Sequence, residues 1–320
     1  MEEIIYTPET LMKNEYPKIK KLGICSPNGE TTPFTWNGKL MRLELVDPYK
    51  GTNSTVKRFA GIRDVESKKI VSTFAEDCYF HCGFKDGDTF YVTGVDMKRR
   101  DTIRLYQTKD LINWTSRDLL RNPGWVYFNS SIAKGPNGYV IVLESGPDAY
   151  PYLNNWQYPK KYVSDNGWTL FFATSPDLVN WTFMPFDESF SKEIPAGGPW
   201  LKYVDGWFYL GADCVLPRRI FSHYLYRTKD FKKWYVGYYN PVMMPSNEDK
   251  LVSPNIADIS DEELLRIKSA FNVNNTDLDM CDYNGKTYIN YLCGNQYGNY
   301  WMCEAIVDKP LNEFLNDFFE

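Results

Sequence analysis

The sequence predicts an all-β fold, a five-bladed β-propeller with short peripheral helices, and three observations predict it. A strand–turn–strand unit ending in Trp recurs, Gly-containing hairpin turns recur ahead of it, and helix signals are confined to two short stretches. The first unit reads LYQTKDLINW at 105–114, FATSPDLVNW at 172–181 and LYRTKDFKKW at 225–234. In each, the Asp (Asp110, Asp177, Asp230) closes a tight turn by accepting from nearby backbone N–H groups, and the Trp packs between neighbouring sheets.

The hairpin pattern is an apolar strand, a turn with Gly and an aromatic-rich strand. It occurs as PFTWNGKL (33–40), GFKDGDTFY (83–91), IAKGPNGY (132–139), WLKYVDGWFY (200–209) and MCDYNGKTY (280–288). Asn-Gly and Asp-Gly supply the left-handed backbone of two-residue hairpins. Five hairpins give five blades, with bounds at 30–75, 76–120, 125–185, 193–240 and 272–307, in one domain spanning 1–320. Ser260 opens a capping-box helix running to Phe271, and 310–319 forms a helix on the rim. The fifth blade shows only three strands, so Glu3–Tyr6 is expected to supply the closing one.

Composition narrows the function. A formal charge of −5 without a long basic run argues against nucleic acid and anionic membrane surfaces as partners. No stretch approaches the ~18 apolar residues of a membrane span. The acidic N-terminus lacks the layout of a signal peptide, and the seven Cys read as reduced thiols, so a cytoplasmic location is expected. Cys78 and Cys82 have no second Cys/His pair to complete a zinc site, and no phosphate or dinucleotide loop implies a cofactor. Only His81 and His223 exist, with no Gly-x-Ser-x-Gly, which leaves serine-hydrolase chemistry little support. Aromatics at 17% suit a β-rich core and also stacking on sugar faces.

Propeller topology brings two sets of residues to one mouth of the central channel. Those entering the inner strands include Glu30, Asp77, Asn129, Glu193, Asn274, Asn275 and Asp277. Those ending the second strands include Glu44, Asp96, Glu144, Asp213 and Gly294-Asn295-Gln296. A ring of carboxylates is the equipment of glycosidic bond cleavage: one carboxyl kept protonated gives a proton to the leaving oxygen, and another acts as base or nucleophile.

The strand–turn units between these hairpins resemble the five-bladed glycosidases typified by glycoside hydrolase family 43, over nearly the whole chain. That resemblance implies an Asp before the first inner strand, a second Asp two blades on, and an acid Glu in a Glu-Gly-Pro setting in the following blade. This chain departs at all three places. It has Glu30 or Thr32-Pro33 in the first blade, Asn129-Ser130-Ser131 in the third, and Gly197-Gly198-Pro199-Trp200 in the fourth. The family's catalytic residues do not carry over there, and the chain is similar to divergent relatives sharing an Asn-Asn-Ser/Thr-Asp-x-Asp segment in the last blade.

The remaining candidates rest on their own chemistry. Asp277 and Asp279 enter the last inner strand and share one face by the period of two; either is the expected base or nucleophile. Glu144 ends an apolar strand beside Asn129, where burial raises its pKa, and is the expected acid. Glu44, inside the apolar Leu43-Glu-Leu45, is a further catalytic candidate with Arg63 as its partner; a purely structural ion pair is the alternative. Arg63, Asp77, His81, Asn129, Asn274, Asn275 and Gln296 are expected sugar contacts. The expected activity is hydrolysis of oligosaccharides or small glycosides, with two alternatives: a glycoside phosphorylase using Arg218-Arg219, or a non-catalytic carbohydrate-binding propeller.

Overall fold

The computed structural model describes residues 17–46, 58–123, 125–145, 169–185, 196–216, 220–257, 259–295 and 299–319. Its first strand, β1 (Lys20–Ser26), is followed by β2 (Gly29–Trp36), β3 (Lys39–Val46), β4 (Phe59–Asp64) and β5 (Ile70–Phe74), which form one four-stranded sheet. A second comprises β6 (Cys78–Asp86), β7 (Thr89–Asp96), β8 (Thr102–Thr108) and β9 (Thr115–Arg121). A third comprises β10 (Tyr127–Gly135), β11 (Gly138–Ser145), β12 (Thr169–Ser175) and β13 (Thr182–Phe183).

Two further antiparallel meanders follow. One is β14 (Ala196–Val204), β15 (Trp207–Leu216), β16 (Ile220–Thr228) and β17 (Trp234–Val236); the other is β18 (Asn274–Tyr283), β19 (Lys286–Gly294) and β20 (Tyr300–Val307), completed by β1. A single parallel bridge, Ser222 to Asn275, joins these two meanders into one sheet. The inner strands β2, β6, β10, β14 and β18 contact one another in cyclic order, which is the arrangement of a propeller.

The local signals act as anticipated. Both central residues of the turns Asn37-Gly38, Asp205-Gly206 and Asn284-Gly285 have positive φ, as two-residue hairpins require. Asp110 Oδ1 accepts from the N–H groups of Ile112 and Asn113 at 2.8 and 2.7 Å, and Asp177 and Asp230 repeat the motif. Trp114 stacks on Phe74 of the preceding sheet at 3.6 Å between centroids, and Trp234 lies tilted against Phe172. Apolar cores accordingly fill the spaces between successive sheets, with Leu43, Ile62, Phe90 and Val92 in the first of them.

Helix α1 (Asp261–Ser269) is capped by Ser260, whose hydroxyl accepts from Glu263 N, and ends two residues short of Phe271. Helix α2 (Leu311–Asn316) buries Phe314 and Leu315 against the last two sheets. A 3-10 turn at Asn247–Lys250 has no counterpart in the sequence reading.

The closing strand is a correction. Glu3–Tyr6 lies outside the described residues, and the fourth position of the last blade is taken by β1. Register shifts between Lys21 and Gly23 and between Ile24 and Ser26 break the alternation by which a strand is read. Ile24 is fully buried in the last core, next to Trp301 and Cys303. Ile24→Ala is expected to cost about 3 kcal/mol in urea unfolding, and a loss below about 1 kcal/mol would show that β1 only decorates the sheet.

Candidate active site

All five inner strands carry one extra residue at the same level. The register slips between Gly29 and Thr31, Tyr79 and Cys82, Tyr127 and Ser130, Gly197 and Trp200, and Thr276 and Asp279. Each slip is a β-bulge, which bends the strand and re-aims a side chain. Glu30 (φ 43°), Phe80 (60°), Gly198 (51°) and Asp277 (45°) adopt left-handed backbone there, strain of the kind that collects at functional sites. Around the channel the bulges present Glu30, His81, Asn129, Gly198 and Asp277 to one cavity, with Asp279 and Trp200 deeper in its lining.

Three carboxylates reach forward to a backbone N–H in the next blade's bulge. Glu30 Oε2 accepts from Phe80 N at 2.6 Å, Glu144 Oε2 from Gly198 N at 2.9 Å, and Asp213 Oδ2 from Asp277 N at 3.0 Å. Asn129 Nδ2 donates a second bond to Glu144 Oε2 at 2.9 Å. Both bonds on Glu144 thus fall on Oε2, and Oε1 lies 3.0 Å from where a Cβ of residue 197 would be. Gly197, where the family resemblance implied an acid Glu, is therefore the space that Glu144 fills from the neighbouring blade. A Cβ on Gly198 would sit 2.3 Å from Asp213 Oδ2 and 2.8 Å from Asp277 Oδ1, so only glycine allows these two carboxyls to converge.

Among the described residues no cation is paired with Glu30, Glu144, Asp213 or Asp277. Burial pushes Glu144 up to about 8, and nearby Asp277 and Asp213 add to the shift against the bonds from Asn129 and Gly198. Burial and then Asp277 push Glu30 to about 8, while burial and then Asp213 push Asp277 to about 7. Burial likewise raises Asp213. His81 is 4% exposed with neither ring nitrogen bonded among the described residues, and desolvation holds it neutral down to about 3.

The other sequence candidates divide sharply. Glu44 is not in the cavity: it is buried between the first and last blades, where Arg42 Nε (2.6 Å), Arg63 Nε (2.9 Å) and Asn28 Nδ2 (2.9 Å) donate to it. Burial alone would raise it, but Arg42 and Arg63 outweigh that and bring it to about 2. Glu44 and Arg63 are thus the structural pair, linked through Arg42 to Glu304, because a buried charge demands a buried counter-charge. Asp77 is half-buried, paired with Lys98 at 3.0 Å and outside the cavity lining.

Asn274 and Asn275 also stand outside the lining. Asn274 Oδ1 accepts from Phe221 N, and Asn275 contacts Asp249 and Lys21 at the seam between blades. Asp277 and Asp279 do not follow the period of two, since the bulge falls between them. Asp277 meets Gly198 and Asp213, whereas Asp279 forms a 2.8 Å ion pair with Lys202. Gln296, Glu193 and Arg218-Arg219 lie outside the described residues.

Glu30 and Asp213 belonged to the anticipated ring but stood out by nothing beyond their positions in it. The legible signal was placement alone, at an inner-strand entry and at a second-strand end. Among the described residues no group of three or more His, Cys, Asp or Glu is arranged to hold a metal ion.

Neither a family model nor a curated protein matches the sequence. Solved structures do match. One described as a glycoside hydrolase aligns over 96% of this chain and 97% of its own, with a TM-score of 0.62 at 14% identity. The GH32 β-fructofuranosidase BmSUC1 of Bombyx mori covers 90% of this chain and 61% of its own (TM-score 0.55, 11% identity). The GH43 protein BlXynB of Bacillus licheniformis covers 92% and 56% (TM-score 0.55, 10% identity), so this chain spans little more than half of that protein. The fold is therefore the propeller fold of glycoside hydrolases, and the chain resembles the GH43 and GH32 types in architecture.

Glu30, Glu144 and Asp277 hold protons in the native state up to pH 7–8 that ordinary carboxyls release near 3.8–4.5. Their stabilising contribution is fully present below about pH 4 and is lost as pH rises through 7–8. Glu144→Gln is accordingly expected to raise stability by on the order of 2–4 kcal/mol at pH 8, with little gain at pH 4.5. Urea titrations at the two pH values read this difference directly.

Proposed function

We propose that this chain is a glycoside hydrolase acting on oligosaccharides or small glycosides, with Glu144 as general acid and Asp277 as base or nucleophile. The observation that carries the reading is Glu144 itself: a buried carboxyl, without a cation among the described residues and pushed up to about 8, whose Oε1 takes the side-chain space of Gly197. From there its proton passes to the leaving glycosidic oxygen, and Asp277 across Gly198 activates water or attacks the anomeric carbon.

Glu144 stands behind Asn129 and Gly198 of the cavity lining, to which it is bonded, and the lining itself suits a polyhydroxyl ligand. Thr31 Oγ1, both nitrogens of His81 and Asp279 Oδ2 are buried polar atoms at the cavity without a hydrogen-bond partner among the described residues. A neutral His81 donates from one nitrogen and accepts at the other, the pattern a sugar hydroxyl matches. Asn129 remains a proposed sugar contact through its position at the third bulge. Lys202 neutralises Asp279 deeper in the channel, which leaves Asp277 as the better-placed base. All seven cysteines are unpaired, which supports action in a reducing compartment such as the cytoplasm.

Glu144→Gln and Asp277→Asn are each expected to lower kcat/KM on an unactivated glycoside by about 10²–10⁴-fold. On an aryl glycoside with a good leaving group Glu144→Gln should lose far less, because such a group departs without protonation. Folded variants that both retain full activity would sink the assignment. Binding of sugar without cleavage by the unaltered protein would favour the carbohydrate-binding alternative, and turnover dependent on inorganic phosphate would favour the phosphorylase.

The pH–rate profile gives a separate check. With Glu144 as acid, kcat/KM should fall as pH rises through about 8. A basic limb unchanged in Glu144→Gln would assign the proton elsewhere.

A further inference from the structure

Asp213 is the one carboxyl of the cluster with an imidazole behind it. His223 Nδ1 lies 2.6 Å from Asp213 Oδ1, and His223 Nε2 lies 2.8 Å from Trp200 Nε1. An indole N–H only donates, so His223 Nε2 must be the acceptor and carry no proton. The neutral imidazole then has its hydrogen on Nδ1, where it donates to Asp213. His223 is fully buried, Trp200 is 2% exposed, and the two rings lie 13° from coplanar, as an in-plane bond requires. Gly211 leaves room for the chain: a Cβ there would sit 2.1 Å from Trp200 Nε1 and 2.4 Å from His223 Nε2.

We propose that Trp200 locks His223 in its Nδ1–H tautomer, and that His223 acts as a positioning residue whose bond to Oδ1 favours the ionised form of Asp213. This rests on the hydrolase reading for its catalytic consequence, though not for the hydrogen-bond chain itself. Asp213 accepts on both oxygens, from His223 at Oδ1 and from the backbone of Asp277 at Oδ2. Bonds donated to a carboxylate favour its charged form. Burial opposes that charge and raises Asp213; the charge that the two donated bonds sustain faces Glu144 from β11 and Asp277 from β18, and it favours protons on both.

Asp277 and Asp279 are the acids acting on His223; burial outweighs them and holds the imidazole neutral down to about 4. Lys202 is engaged by Asp279. With its Nε2 committed to Trp200, His223 is not a general base; its effect reaches the reaction through Asp213.

Because the chain contains only two histidines, ¹⁵N-histidine labelling with a His81→Asn variant for assignment reads the tautomer directly. The expected spectrum shows a neutral Nδ1–H imidazole for His223, unchanged between pH 5 and 8. An Nε2–H tautomer, or titration near the ordinary ~6.5, overturns the proposal whether or not any glycoside is cleaved.

The kinetic arm uses His223→Leu and His223→Asn, since the Asn amide reproduces the Nδ1–H donor without reaching Trp200. In the Leu variant Asp213 loses a donor and holds less charge against Glu144, so the basic limb of kcat/KM should move down by about one pH unit, a roughly tenfold loss on that limb. The Asn variant should return the limb towards its original position. A Leu variant that folds and keeps the limb in place overturns the proposal. If the unaltered protein cleaves no glycoside while the Nδ1–H tautomer is observed, the hydrolase reading fails and the Trp200–His223–Asp213 chain stands.

Discussion

The site depends on one geometric constraint, the extra residue inserted at the same level in every inner strand. A regular strand would alternate its side chains and leave every backbone N–H in the ladder. The bulge instead takes a residue out of register, turns Glu30, Asn129 and Asp277 towards the channel, and releases N–H groups at Phe80, Gly198 and Asp277. Glu30, Glu144 and Asp213 accept those N–H groups from the preceding blade. The carboxyls thereby hold adjacent blades together at the point where they also meet one another. Their local structural role and their crowding have the same origin.

Glu44 and Glu144 show how surroundings decide what a buried carboxyl does. Both end up nearly inaccessible on the second strand of a blade. Glu44 has two guanidinium groups on it and stays ionised at any ordinary pH, so it ties the first blade to the last. Among the described residues Glu144 has only an amide and a backbone N–H, and burial raises it to about 8. A charge whose desolvation is offset by a counter-charge stabilises the assembly, whereas an uncompensated carboxyl stores a proton that chemistry can use. The Gly197-Gly198 pair gives Glu144 the space to do this in the fourth blade while being anchored in the third.

The architecture was legible because its signals are local. Hairpin dipeptides, the Asp-closed turns and the blade Trp residues each act within a few residues, and the inner strands, the apolar seams and α1 follow from them. Strand β1 was not legible, since two bulges erase its alternation and its partner β20 lies at the opposite end of the chain. The 3-10 turn at Asn247–Lys250 is held by long-range bonds: Asp249 accepts from Tyr291, Asn272 and Asn275. No window of sequence contains those contacts.

For the site, sequence alone determined that carboxyls gather at one mouth and that Glu144 is buried among apolar neighbours beside Asn129. Tertiary structure decided which of them meet. It placed Glu44, Arg63, Asp77, Asn274 and Asn275 outside the cavity lining, paired Asp279 but not Asp277 with Lys202, and singled out Glu30 and Asp213 from the ring, with the His223–Trp200 chain behind Asp213. The reason is physical: the direction of a side chain at a bulge, and the charge of a buried acid, depend on partners contributed by other blades. Hydrophobic periodicity records which face a residue takes within its own strand, and it carries no record of what stands opposite.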